Sequence, residues 1–202
     1  MRVVAAIGSA SRKDRGRFSP FRRSGRWFAL LALLGLGGQA APGEAEVSKE
    51  YQIKAAFLYN FTKFIEWPRE RFADAAAPII IGVFNGGAFE VELGKIVQGR
   101  QVNGRSIVVR SVATTADATS AHLIFVPAGE EQRFAETTAV LRETAVVTVG
   151  ESDRFATLGG MIVFARTEDK VRFAINLEAS EQARVRFSAQ LLKLASAVHR
   201  KP

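Results

Sequence analysis

The chain has 202 residues, with 28 Lys and Arg against 20 Asp and Glu, a formal net charge of +8 and no cysteine. Hydrophobic residues make up 48% and charged residues 24%, which is the balance of an ordinary globular domain and excludes a disordered chain, collagen and a coiled coil. Disulfides, zinc–thiolate sites, thiol catalysis and lipid attachment through an N-terminal Cys are excluded with the cysteines, and no apolar run approaches the roughly 20 residues that span a bilayer.

The charge is unevenly placed. Residues 1–40 hold eight Lys/Arg and one acid, Asp14, which leaves 20 basic and 19 acidic residues in 41–202, a net charge of +1. The high positive charge therefore belongs to the leader, and the nucleic-acid partner that a basic chain suggests is not called for. Within the leader, a basic region is followed by the apolar run Trp27 to Gly38 and then by small residues. A run of about 12 residues fits the apolar region of a secretory signal better than a membrane span. Gly38-Gln39-Ala40 fits cleavage before Ala41, and Gly43-Glu44-Ala45 is a second option. An uncleaved anchor is the competing reading. Arg22-Arg23 resembles a twin-arginine signal, but Gly25-Arg26 stands where that signal wants an apolar pair, so the general secretory route is expected. The expected organisation is a signal peptide over 1–40, a flexible start over 41–47 and one α/β domain over 48–199.

From Ser48 the pattern turns helical. Ile53, Phe57, Phe61 and Phe64 form one apolar stripe, with Tyr51, Ala55, Leu58 and Ile65 beside it, which predicts a well-buried helix stopped by Trp67-Pro68. Four Val- and Ile-rich runs follow, Ile79–Phe84, Ser106–Val112, His122–Val126 and Ala145–Val149. They show little polar alternation, as in strands covered on both faces of a parallel sheet. Helices are expected between them at Phe89–Val97 and Glu130–Leu141, with one turn near Thr114–Ser120. Gly160–Arg166 and Val171–Leu177, joined by Thr167-Glu168-Asp169-Lys170, read as an antiparallel hairpin. A short helix to Ala183, extended chain at Val185 and Phe187, and a final helix capped by Ser188 complete the chain. Phe187 and Leu192 are placed as a hydrophobic staple, with Leu191, Leu194, Ala195 and Val198 facing inward. The fold class is thus α/β: one domain, with a mixed, mostly parallel sheet of about six strands, helices on both faces and a C-terminal antiparallel hairpin followed by helix.

Chemistry is sparse. His122 and His199 have no converging partners, and both read as structural or surface histidines. The acid pairs Glu130-Glu131, Glu151/Asp153 and Glu168-Asp169 sit at helix starts or in turns, where acids are favoured without catalysis. Asn85-Gly86-Gly87 follows the first strand and opens a helix, a place where α/β folds can cradle an anion on free N–H groups. It lacks the GxGxxG pattern and the P-loop Lys. Gly159-Gly160 reads as a tight turn. The aromatics Phe57, Tyr59, Phe61, Phe64 and Trp67 crowd one helix and its end. Tyr59, Asn60, Lys63 and Trp67 cannot all point inward, so they are the candidate partner-binding surface.

The segment Lys54-Ala-Ala-Phe-Leu-Tyr-Asn-Phe-Thr-Lys-Phe-Ile-Glu-Trp-Pro68 resembles the opening signature of the YfiR family of secreted regulators. Thr148-Val-Gly150, Phe155-Ala156, Gly159 to Phe164, Val171 to Leu177 and Ser188 to Ala195 resemble its closing block in order and spacing. The resemblance covers roughly residues 50–198. It implies a periplasmic α/β protein that is not an enzyme, needs no cofactor, and represses an inner-membrane diguanylate cyclase by binding its periplasmic sensor part, lowering cyclic di-GMP and biofilm formation. This chain departs from the family in two ways. It has no cysteine, which removes the thiol redox tuning of some members. It also places Arg184 where a Gly is expected between the last two helices, which puts the turn geometry there in question.

Two readings follow. In the first the protein is a regulator acting by protein–protein contact through Tyr59, Asn60, Lys63 and Trp67, with a homodimer left open. In the second it is a periplasmic small-ligand or nucleotide-binding protein, with Asn85, Gly86 and Gly87 at the anion end. A hydrolase is a distant third, because no triad, dyad or metal cluster is visible.

Overall fold

The computed structural model describes residues 42–167 and 170–200. The leader 1–40, the cleavage point before Ala41 and the pair Glu168-Asp169 lie outside them. The first helix, α1, runs from Pro42 to Phe64, so it begins ahead of Ser48, in the segment read as a flexible start. Its buried face is Lys54, Ala55, Leu58, Phe61 and Thr62, and Ile65 just beyond its end is buried too. The stripe is therefore centred on Leu58 and Phe61. Ile53, expected inside, is 37% exposed, and Phe57 and Phe64 are half-buried. Two polar residues lie on this inner side with their polar atoms bonded. Lys54 is ion-paired, and Thr62 Oγ1 donates to the Tyr59 carbonyl at 2.6 Å.

The helix does not run on to Trp67-Pro68. It ends at Phe64, whose carbonyl accepts the Ser188 N–H at 2.9 Å. Ile65–Glu66 (β1) then leaves as an extended segment that pairs antiparallel with Arg186–Phe187 near the C-terminus. A turn of 3-10 helix, Arg69–Arg71, follows. The remaining elements are β2 (Ile79–Phe84), α2 (Ala88–Val97), β3 (Gln101–Val102), β4 (Arg105–Val112), α3 (Thr115–Ser120), β5 (Leu123–Phe125), α4 (Glu131–Leu141), β6 (Val147–Gly150), α5 (Asp153–Thr157), β7 (Ile162–Thr167), β8 (Lys170–Asn176), α6 (Leu177–Gln182), β9 (Arg186–Phe187), α7 (Ala189–Leu194) and β10 (Ala197–His199).

The main sheet has the order β10-β8-β7-β6-β5-β2-β4-β3. Its centre, β7, β6, β5, β2 and β4, is parallel, and β7–β8 is the expected antiparallel hairpin. Eight strands stand where about six were expected, because β3 and β10 extend the two edges. Successive strand residues serve opposite faces. Ile81, Val83, Leu123, Phe125, Val147, Val149, Phe164 and Phe173 form one core with Leu58 and Phe61 of α1 and Phe89 and Leu93 of α2. Phe84, Val112, Ile124, Val126 and Val146 form a second core with Phe134 and Leu141 of α4 and Phe155 of α5.

Gly150 and Gly160 enclose the Phe155 ring so closely that a Cβ on either would run into it, which is why that corner needs glycines. Ser188 caps α7 by accepting the Leu191 N–H at 3.3 Å. Leu191 is buried, but Leu194 is 62% exposed and Val198 is also exposed, against expectation. For Val198 the reason is that α7 stops at Leu194 and the chain becomes the sheet-edge strand β10, so the helical spacing that would turn it inward does not continue. Arg184 has φ +59°, so it occupies the left-handed conformation for which a Gly was expected.

Candidate functional site

Lys54, in the middle of α1, lies at the carboxyl ends of the parallel strands beside Glu151, and Trp67, just past the helix, lies at their amino ends beside His122. At the carboxyl edge, Lys54 is 8% exposed and its Nζ lies 2.5 Å from both Glu50 and Glu151. Glu151 follows β6, and its Oε2 also accepts the Ala128 N–H at 3.0 Å. Burial alone would lower the Lys54 pKa, but the hydrogen bonds and charges of Glu151 and Glu50 outweigh it and raise it. A cleft of about 190 Å³ opens beside them, lined by Phe164, Ala165 and Val171 among others.

The same edge holds the topological switch point. The chain passes from β2 to β4 on one side and returns to β5 on the other, which is where open α/β sheets commonly bind ligands. Here the crevice is bridged: Asn85 Nδ2 donates to Glu130 Oε2 at 2.5 Å. Asn85, Gly86 and Gly87 all have positive φ. The Asn85 N–H is bonded to the Val112 carbonyl and the Gly86 N–H to the Val83 carbonyl. The Glu90 carboxylate sits so close that a Cβ on Gly86 would lie 2.5 Å from its Oε2. Two of the three amides expected to cradle an anion are thus already used, and two carboxylates flank the turn, so the geometry opposes an anion there.

At the amino edge, Trp67 is half-buried and its Nε1 donates to the His122 carbonyl at 3.1 Å. Phe72 stacks on the His122 ring, with centroids 4.5 Å apart. Arg71 donates to the carbonyls of Thr119 and Ala121, and the Arg105 guanidinium lies 3.8 Å over Phe72. The segment from Trp67 to Ala77 is therefore a strap pinned over the start of β5. Beneath it, His122 is 4% exposed and its Nδ1 accepts the Ile80 N–H at 3.1 Å. Burial, then the positive charges of Arg71 and Arg105, lower its pKa to about 4. Its Nε2 is buried with no hydrogen-bond partner among the described residues, and His199 is exposed on β10.

The four candidate contact residues divide. Tyr59, Asn60 and Lys63 come together on the outer side of the last turns of α1. Lys63 Nζ lies 4.2 Å from the Tyr59 ring centroid and donates to Asn60 Oδ1 at 3.0 Å. Trp67 is not with them, since it anchors the strap. Arg100, which sequence reasoning passed over, joins the group with its guanidinium 4.8 Å from the Tyr59 ring. The signal that could have placed it is Asn103-Gly104, a strong hairpin turn pair. With φ of +52° and +78° they turn β3 into β4 and fix Arg100 just ahead of the edge. Three of the paired acids have structural partners: Glu131 Oε2 accepts the Gly129 N–H ahead of α4, while Glu130 and Glu151 are held as described above.

Across residues 51–196 the chain matches the family model described as YfiR/HmsC-like. The chain belongs to the YfiR/HmsC-like family. That match spans the domain from α1 to just past α7, so Lys54, Tyr59, Lys63, Trp67, Arg100 and His122 all fall inside it. No curated protein sequence matches the chain. Among solved structures, the chain is similar to the ABC domain in complex with L-Trp from Streptococcus pneumonia, at 13% identity and a TM-score of 0.40 over 59% of this chain and 55% of that one. It is also similar to a conserved domain protein from Vibrio cholerae O1 biovar eltor, at 13% identity and a TM-score of 0.43 over 74% of this chain and 60% of that one. The chain thus spans less than two thirds of either structure. Among the described residues of this YfiR/HmsC-like protein, no helix is long and apolar enough to cross a membrane.

Proposed function

We propose that this protein is an exported periplasmic regulator that represses an inner-membrane diguanylate cyclase by binding its periplasmic sensor part, and so lowers cyclic di-GMP and surface attachment. The family match over 51–196 carries this reading. A mechanism by contact, without a chemical step, is supported by the state of the polar groups. His122 bonds to the backbone of β2 under the strap, Glu151 is paired with Lys54, and Glu130 is tied to Asn85. The contact surface is the exposed end of α1, carried by Tyr59, Asn60 and Lys63, with Trp67 holding the adjoining strap in place.

The test is deletion of the gene in a strain that expresses the cognate cyclase. Cyclic di-GMP and attachment should rise and return to normal on complementation with the wild-type chain. Unchanged cyclic di-GMP with the cyclase demonstrably present would overturn the reading.

A further inference from the structure

Helices α1 and α2 run side by side in the same direction. Tyr51 meets Phe89 edge-on at 5.4 Å in one region of the pair, and Tyr59 meets Arg100 just past the C-terminal end of α2. Two cations from separate elements are thereby held on one tyrosine ring. Lys63 is fixed further by its bond to Asn60 Oδ1.

Three cations of the described surface have acidic partners: Lys95 pairs with Glu92, Arg133 with Glu130 and Arg200 with Glu181. Neither Lys63 nor Arg100 is paired with a carboxylate among the described residues. The negative end of a helix dipole and the face of an aromatic ring can each retain a cation. They do not remove the mutual repulsion of two cations on the same ring, whereas an incoming carboxylate does. The ribbon of β1 and β9 brings Arg186, which is exposed, to the end of α1, facing Glu66 across the ribbon.

We infer that Tyr59, Lys63 and Arg100 form a preorganised cationic platform that receives a carboxylate-bearing surface of the partner protein. The inference rests on the contact reading above and names the chemistry of the partner at that contact. Because both charges are positioned before binding, less side-chain freedom is lost when a carboxylate docks. The platform suits a protein better than a lipid surface: clusters of roughly 4–8 Lys/Arg mark anionic-membrane binding, and here two cations share one ring.

The experiment measures binding of the exported chain to the periplasmic sensor part of the cognate cyclase, by titration calorimetry at several salt concentrations. Wild type should bind with an affinity that falls as salt rises. The double variant Lys63→Gln/Arg100→Gln should bind about tenfold or more weakly and with a flatter salt dependence, because charges at an interface steer and hold the encounter. Lys63→Arg should bind as wild type does. Thermal melts are run alongside; since Lys63 and Arg100 are exposed, the double variant should melt with wild type. If it loses stability, Tyr59→Phe, which keeps the ring and both charges, must bind like wild type for the platform to stand.

Unchanged affinity and salt slope in a folded double variant would overturn the platform and leave the regulator reading standing. Failure of wild type to bind the sensor part would overturn both. A third arm uses vesicles containing anionic phospholipid. Wild-type binding to them that exceeds binding to the sensor part, and disappears in the double variant, would assign the platform to a lipid surface and overturn the inference.

Discussion

Glu151, at the end of β6, lies 2.5 Å from Lys54 of α1, so one ion pair ties the long helix to the carboxyl edge of the sheet. Glu50, one turn earlier on α1, is at the same distance from the ammonium group. Removing one member of a buried pair leaves the other charged and unanswered, which costs about 3–5 kcal/mol. Lys54→Met should therefore lower stability by about that amount, the more so because Glu50 and Glu151 would be left facing each other. Glu151→Gln combined with Lys54→Met, which removes the unanswered charge and keeps an acceptor for the Ala128 N–H, should recover much of the loss. Chemical denaturation of the two variants checks this, and equal loss in both would show that the pair is not the cause.

His122 makes stability depend on acid in a defined direction. Its folded pKa of about 4 lies below the ordinary 6.5. Above pH 6.5 both states hold it neutral and it adds no pH dependence. Between 6.5 and 4 the unfolded chain takes up a proton that the folded chain refuses, so stability falls as pH falls. Below 4 both states are protonated and this slope ends. The shift corresponds to roughly 3 kcal/mol at full extent. His122→Asn, which keeps an acceptor for the Ile80 N–H, should flatten this limb. The measurement is the unfolding free energy at intervals from pH 7 to pH 4, with Trp67 fluorescence reporting the strap. A variant with the same slope as wild type would remove His122 as its source.

Arg184 sits at φ +59°, where an L-residue pays roughly 1–2 kcal/mol relative to the right-handed region. Gly avoids that strain but loses about 0.5–1 kcal/mol through its freer unfolded chain. Arg184→Gly should therefore be as stable as wild type or up to about 1.5 kcal/mol more stable. Arg184→Val should be less stable, because a β-branched side chain tolerates this conformation poorly. Melting midpoints in the order Gly, Arg, Val test the conformation directly, and a Val variant equal to wild type would contradict it.

Phe61 is 1% exposed and meets Phe57, Phe164 and Phe173 at 4.9–5.9 Å between ring centroids. Phe61→Ala should cost about 3–5 kcal/mol, a large part of the total stability of a domain this size. Phe57 touches the same rings but is half-buried, so Phe57→Ala should cost less. Equilibrium unfolding of both variants decides the order. A larger loss at Phe57 would restore the Ile53–Phe57–Phe61 stripe as the inner face.

The sequence by itself determined the elements whose local signals are strong. Ile79–Phe84 was readable to the residue, because a run of Ile and Val ending in Asn-Gly-Gly leaves few alternatives to a buried strand followed by a turn. The β7–β8 hairpin, to within two residues at its ends, and the Ser188 cap were also legible, since each depends on neighbours close in the chain. The edge strands β3 and β10 were not. Two or three residues carry no periodicity, and only pairing with β4 and β8 makes them strands.

Tertiary structure alone decided the sites. The inward turn of Lys54 is set by Glu151, almost a hundred residues later in the chain, and helical spacing cannot see that partner. The closing of the switch point by Asn85 and Glu130 needs two loops brought together by a crossover. Trp67 and Lys63 are four residues apart in sequence, yet one anchors a strap to His122 and the other shares a tyrosine ring with Arg100. The helix ends between them where Pro68 has no N–H to offer the Phe64 carbonyl, and the Ser188 N–H takes its place. Proline thus stops the helix, and a hydrogen bond across more than a hundred residues of chain sets the path that separates two side chains a continuous helix would have placed one turn apart on the same face.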